Sequence, residues 1–148
     1  MQNLDSELDF IIQSCACANI RKAARIVTQV YEREMAEIGL KSTQYYMLVN
    51  IARYRKISIS KLGDIMLLDQ STVTRNVNLL KNDGYVNITR MINDSRTKSV
   101  SITEVGLSKI EEATPIWLKL QNNVEHDLGK ETYQDLLEKL QKLQQSIG

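Results

Sequence analysis

Between residues 58 and 103 the hydrophobic period of the chain changes from helical to alternating, and that change limits its fold more than any other feature. Leu62, Ile65 and Met66 recur at helical spacing after Ser60, and Val73, Val77 and Leu80 do so again after Asp69. Leu67-Leu68-Asp69 between them is long enough only for a turn. Asp69 is a good N-cap for the second segment, and Gly84 is a natural stop for it. The period then falls to two: residues 85–90 put Val86 and Ile88 on one face, and residues 98–102 do the same with Val100 and Ile102. Asn93-Asp94-Ser95, within the link 91–97, is turn chemistry for a hairpin tip. Gly63 costs its helix roughly 0.5–1 kcal/mol relative to alanine, and a close crossing of the two helices is a reason to tolerate it.

The flanks read as helix. Residues 7–37 keep Ile12, Ala16, Ile20, Ala23, Val27 and Val30 on one face, and Gly39 ends that helix with a left-handed cap. A second helix is expected over residues 43–54, with Ser42 as its N-cap. Thr103 caps a long helix over 104–128 that contains Pro115, the only proline, and Gly129 breaks it from a last helix. That last helix carries Tyr133, Leu136, Leu137, Leu140, Leu143 and Ile147, a stripe that needs a partner to cover it. The expected fold is mainly α with a small β-hairpin wing placed directly after a helix–turn–helix.

Charge singles out the same region. The net charge is +1, yet residues 41–100 hold ten Lys/Arg against four Asp, a local +6, while 1–40 and 101–148 carry −2 and −3. A basic middle between acidic flanks is the footprint of a module that meets phosphate with one region. The helix opening at Gln70 shows Gln70, Ser71, Thr72, Thr74, Arg75 and Asn78 away from its apolar side. That surface is short, polar and free of acids, and it fits a major groove about 12 Å wide. Gln70 and Asn78 have the amide geometry to pair with adenine edges; Arg75 can read guanine or grip phosphate, and threonine methyls can touch thymine. Backbone N–H groups at the helix start favour a phosphate. Beside it the wing carries Arg90, Arg96 and Lys98; an arginine on a narrow hairpin can reach the minor groove, and Asp94 can hold it in place.

Asp94-Ser-Arg96-Thr-Lys-Ser-Val100-Ser-Ile102-Thr103, followed by Gly106, resembles the wing signature of the MarR (multiple antibiotic resistance regulator) family. Upstream, Asp69-Gln-Ser71-Thr72-Val73-Thr74-Arg75, then Leu80, Gly84, Tyr85 and Val86, is similar to that family's recognition helix and its exit. The resemblance spans nearly the whole chain. It implies a single domain over 1–148: residues 1–40 and 104–148 form a helical dimerisation region, and 41–103 the winged helix-turn-helix. It further implies a homodimer on a near-palindromic site, Arg96 as the minor-groove arginine positioned by Asp94, and phosphate contacts from Ser42, Thr43 and Lys61. Leu4, Leu8, Ile12, Leu136, Leu140, Leu143 and Ile147 are the expected dimer contacts. Family members are commonly repressors that release DNA on binding a small phenolic or other aromatic effector; others respond to cysteine oxidation.

Cys15 and Cys17 are therefore redox candidates, although two residues apart on one helix they would lie about 200° around the axis and could not bond each other. An intersubunit disulfide, since this helix is expected at the dimer interface, and an unreactive core role for both stay open. Enzyme readings fare badly: His126 is the only histidine, and the six glycines are isolated, so no metal pair, His-based triad or phosphate loop is expected. No cofactor is expected. With no membrane-length apolar run, an acidic N-terminus and two cysteines, a reduced cytoplasmic protein is expected. A winged helix used for protein–protein contact is the remaining alternative, and it leaves the +6 segment without a role.

Overall fold

The computed structural model describes residues 2–91 and 94–148; for Gln2, Met91 and residues 94–96 the backbone alone is described. It divides into two compact units, Met1–Tyr46 and Met47–Gly148.

The first unit holds α1 (Gln2–Ser14), α2 (Ala16–Met35), a 3₁₀ turn (Ala36–Ile38) and the start of α3 (Ser42–Tyr54). The single helix expected over 7–37 is thus two. Cys15 is extended (φ −64°, ψ 107°) and caps α2, its Sγ accepting the Ala18 N–H at 3.5 Å. Asn19 Nδ2 spans the break, donating to the carbonyls of Gln13 (3.1 Å) and Cys15 (2.9 Å). Gly39 adopts the expected left-handed conformation at φ 68°. Ser42 is not the N-cap of α3. Gln44 Oε1 accepts the Lys41 N–H at 3.0 Å and the Tyr45 N–H reaches the Lys41 carbonyl at 2.9 Å, so the cap position falls on Lys41. Glu32 Oε1, ten residues away, accepts both the N–H (2.9 Å) and the hydroxyl (2.7 Å) of Ser42.

The second unit contains the rest of α3, then β1 (Lys56–Ser58), α4 (Ile59–Met66), α5 (Gln70–Asn82), β2 (Val86–Met91), β3 (Asp94–Ile102), α6 (Glu104–Leu128) and α7 (Lys130–Ile147). The strands form an antiparallel sheet in the order β1-β3-β2, with Ile57 opposite Val100 and Ile88 opposite Val100 on the other side. β1 was not expected from the sequence. Both wing strands also run further toward the tip than expected, and a register shift follows Arg90. Ile92 and Asn93 of the expected turn lie outside the described residues.

Met47, Leu48 and Ile51 of α3 are fully buried, as are Leu62 of α4, Val73, Val77 and Leu80 of α5, and Val100 of β3. The helix–turn–helix and the wing therefore share one core. Gly63 does mark a close crossing: a Cβ there would sit 3.0 Å from the Leu68 carbonyl oxygen and 3.5 Å from Val73 Cγ2 of α5. At the base of the wing Thr103 accepts the Gly106 N–H (3.0 Å) as N-cap of α6 and donates its hydroxyl to the Gly84 carbonyl (2.7 Å). α6 spans Pro115 without ending, and Gln121 Nε2 donates to the Tyr133 hydroxyl at 2.6 Å, tying α6 to α7. No helix among the described residues is long and apolar enough to cross a membrane.

Candidate nucleic-acid interface

The outward face of α5 is organised from its first turn. Asp69 is its N-cap: Oδ1 accepts the Thr72 N–H at 2.8 Å and the Ser71 hydroxyl at 2.6 Å, while Oδ2 accepts the Thr72 hydroxyl at 3.0 Å. These bonds, the Ser71 hydroxyl first, hold the exposed Asp69 carboxyl down at about 2. The Thr72 N–H is therefore taken, and a carboxylate already occupies the positive end of the helix, so the expectation that this terminus attracts a phosphate is not met at Thr72. Ser71 and Thr72 keep acceptor lone pairs for a ligand while their hydrogens point back to the cap.

The cap also sets an acid limit. Because the folded pKa lies below the ordinary 3.8, Asp69 stabilises the fold fully above about pH 4, and that contribution is lost as pH falls toward 2. Urea melts at pH 5 and pH 2.5 should show a loss that Asp69→Asn, which keeps a cap without the titration, makes smaller. Equal acid losses in both proteins would contradict this role.

Gln70, Ser71, Thr74, Arg75, Asn78 and Leu79 line one concavity of about 710 Å³ along α5, and none of them is acidic. Of the six expected α5 residues, five are brought together there. Thr72 is not among them, since it packs back on Asp69. Leu79 joins the face unannounced by the sequence, where an exposed leucine and a core leucine look alike.

A second groove, about 220 Å³, is lined by Ile59, Ser60, Gln70, Thr74, Thr97 and Lys98. It joins the first turn of α4, the first turn of α5 and the wing strand, which makes helix and wing a continuous surface. Ser60 and Thr97 were not expected here; only the pairing of β3 with β1 carries them to this seam. Lys98 was expected. Its partner across the ladder is Arg90, and both are exposed. They continue toward the tip the strand face that buries Val86 and Val100 nearer the base. Like charges directly opposite destabilise a sheet unless something negative lies over them.

The remaining candidates fall elsewhere. Asp94 and Arg96 lie on the β3 backbone, but their side chains are outside the description. Lys61 is exposed on α4 and lines neither groove; its N–H goes to Ser58 Oγ at 3.1 Å. Thr43 is exposed, and the Ser42 donor is spent on Glu32. The +6 segment does not all converge on one surface either. Arg53, Arg55 and Lys56 sit where α3 passes into β1, and Lys56 pairs with Ser101 at the end of the ladder away from the tip.

In the first unit Cys15, Cys17, Ala18, Arg21, Lys22 and Arg25 line a concavity of about 380 Å³, with both thiols free. The break between α1 and α2 removes the single-helix angle argument, because Cys15 is a cap and not a helical residue. Among the described residues no group of His, Cys, Asp and Glu could hold a metal ion.

A helix–turn–helix sharing its core with a hairpin, and a polar, acid-free face running from one into the other, define a winged helix nucleic-acid-binding module. Residues 38–97 match the model of the MarR family. The HTH-type transcriptional regulator SarZ of Staphylococcus epidermidis is 31% identical over 119 residues, covering 80% of this chain and 79% of SarZ. Among solved structures, the M. tuberculosis transcriptional regulator MOSR in complex with DNA superposes with a TM-score of 0.76 at 28% identity, covering 91% of this chain and 100% of that one. BpsR of Bordetella bronchiseptica, whose DNA binding is regulated by 6-hydroxynicotinic acid, gives 0.81 at 18% identity, over 88% of this chain and 94% of its own. The chain belongs to the MarR family, and it is a DNA-binding transcription regulator rather than an enzyme.

Proposed function

We propose that this regulator is a homodimeric repressor, acting in the cytoplasm, that seats α5 of each subunit in a major groove of a near-palindromic operator and its wing in the adjacent minor groove. The observation that carries this is the acid-free lining of the α5 concavity together with the seam that joins it to Lys98. Pairing of two chains is supported by the apolar side chains exposed at both ends: Leu4, Leu8, Phe10, Ile11 and Ile12 on α1, and Leu136, Leu137 and Ile147 on α7. Large apolar side chains left exposed in such number on each of two helices are unusual for a monomer. Leu140 and Leu143, expected contacts, are half-buried within the single chain. Arg75 grips the major-groove edge, Arg96 enters the minor groove with Asp94 as its positioning partner, and Thr43 and Lys61 touch phosphate. Ser42 reaches phosphate only by giving up its bond to Glu32.

Gel-shift titration at several salt concentrations, with sedimentation alongside, tests this. Log affinity should fall linearly with log salt. Arg75→Ala and Arg96→Ala should each weaken operator binding at least about 30-fold, since each removes a base contact of roughly 1–3 kcal/mol from both subunits, with the dimer and its melting temperature unchanged. Wild-type affinity in both variants would end the assignment.

Release follows from a small aromatic or phenolic ligand that prefers a lobe spacing mismatched to the grooves. The likeness to BpsR supports such regulation on this scaffold. A second reading, a thiol switch, is favoured by one observation: the free thiol of Cys15, at the start of α2, lines an open concavity with Arg21, Lys22 and Arg25, where a small oxidant can reach it. Peroxide should then lower operator affinity in the wild type and not in Cys15→Ser. An equal response in Cys15→Ser, Cys17→Ser and the double variant would remove it.

A further inference from the structure

Five of the six side chains lining the α5 concavity are polar, and the sixth is a leucine. Gln70, Ser71, Thr74, Arg75, Asn78 and Leu79 follow the spacing i, i+1, i+4, i+5, i+8, i+9, two adjacent rows along three turns. At 1.5 Å per residue the rows extend about 13.5 Å, the length of roughly four base-pair steps. Leu79 closes the far end, 45% exposed in a helix whose other branched apolar residues, Val73, Val77 and Leu80, are fully buried. It takes no part in the core that holds α5 in place.

We propose that Leu79 is a specificity-determining residue, packing on the C5-methyl of a thymine at the distal end of each half-site. The assignment rests on the seating of α5 in the major groove. There a leucine can meet a sugar, which carries no sequence information, or one of three other groups. Against a phosphate it gains nothing and strips water from a charge. Against the edges of guanine, cytosine or adenine it covers donors and acceptors that need partners. The thymine methyl is the one apolar group that a base edge offers in the major groove. Asn78, the neighbour of Leu79 in the same concavity, supplies an amide suited to adenine, so the pair fits an A·T-containing step at that end.

Thymine-to-deoxyuridine exchange removes only that methyl, which makes the claim directly testable. A duplex selected by the wild type is resynthesised with each thymine replaced in turn, and affinities are measured for wild type, Leu79→Ala, Leu79→Met and Thr74→Ser. One symmetric position per half-site should lose about fourfold in wild-type affinity when its methyl is removed, the value of one buried methyl. Leu79→Ala, which loses the contact in both subunits, should bind the unmodified duplex as weakly as the wild type binds a duplex with uracil at that position in both half-sites, about sixteenfold below the unmodified pair, and should show no uracil effect there. Leu79→Met, which keeps apolar reach, and Thr74→Ser should both retain it. Because Leu79 lies outside the core, the melting temperature of Leu79→Ala should match that of the wild type.

An unchanged uracil profile in Leu79→Ala overturns the assignment. A loss of affinity in that variant that is equal for every sequence also overturns it, since it would place the leucine on a sugar. Loss of the uracil effect in Thr74→Ser, with Leu79→Ala keeping it, gives the methyl to threonine instead. Failure of the wild type to select any sequence is a different result, because it removes α5 from the groove altogether.

Discussion

Gly106→Ala is expected to lower the melting temperature by roughly 10 °C, a large effect for the addition of one methyl group. A Cβ at Gly106 would run into the Tyr85 carbonyl oxygen and the tip of the Ile102 side chain; the side chain can swing aside, but the carbonyl is fixed. The Tyr85 carbonyl already accepts the Thr103 N–H at 3.1 Å, and the Thr103 hydroxyl is bound to the Gly84 carbonyl, so the peptide cannot turn away without breaking the junction of α5, β2, β3 and α6. Overpacking against such a site costs about 3 kcal/mol. In a chain of this size each kcal/mol shifts the melting temperature by about 2–4 °C. Gly84→Ala makes a useful contrast. Its φ is +79° with open space around it, so only backbone strain of about 1 kcal/mol is expected. Calorimetry that ranked the two substitutions equally would contradict the packing account of Gly106.

Neutralising Arg90 and Lys98 together should move stability and DNA affinity in opposite directions. In the unbound protein the two cations face each other across the β2–β3 ladder, and removing the repulsion by glutamine substitution should hold or raise the melting temperature slightly. In the proposed complex the same pair would supply up to four phosphate contacts per dimer. Losing them should make the slope of log affinity against log salt shallower by about 3–4, and should lower affinity near 0.15 M salt by roughly a thousandfold. The loss should be the same for every sequence, since phosphate contacts position the protein without reading bases. A salt slope equal to that of the wild type would take both residues off the backbone of the duplex.

Much of the architecture was legible because it rests on local chemistry. The change of period between residues 58 and 103, the caps at Asp69 and Thr103, and the left-handed glycine at Gly39 each announce themselves within a few residues. What stayed hidden depends on partners distant in sequence. β1 is three residues long and becomes a strand only because β3 offers it an open edge. The break at Cys15 is invisible because the apolar rhythm of Ile12, Ala16 and Ile20 runs straight through it, and because cysteine is an uncommon cap. Ser42 has the chemistry of an N-cap, yet Gln44 and the distant Glu32 decide where α3 begins. At the interface the α5 face could be read from helical spacing, whereas Ser60 and Thr97 reach the seam through sheet pairing that no local pattern encodes.

Selection of bound duplexes from a random pool tests the central claim most directly. With α5 and the wing of two subunits presented together, the wild type should enrich one near-palindrome whose half-sites are centred about one helical turn apart, and Gln70→Ala with Asn78→Ala should blur the enriched bases without abolishing binding. A wild-type pool that stays random after repeated selection, while still binding in a salt-dependent way, would contradict it.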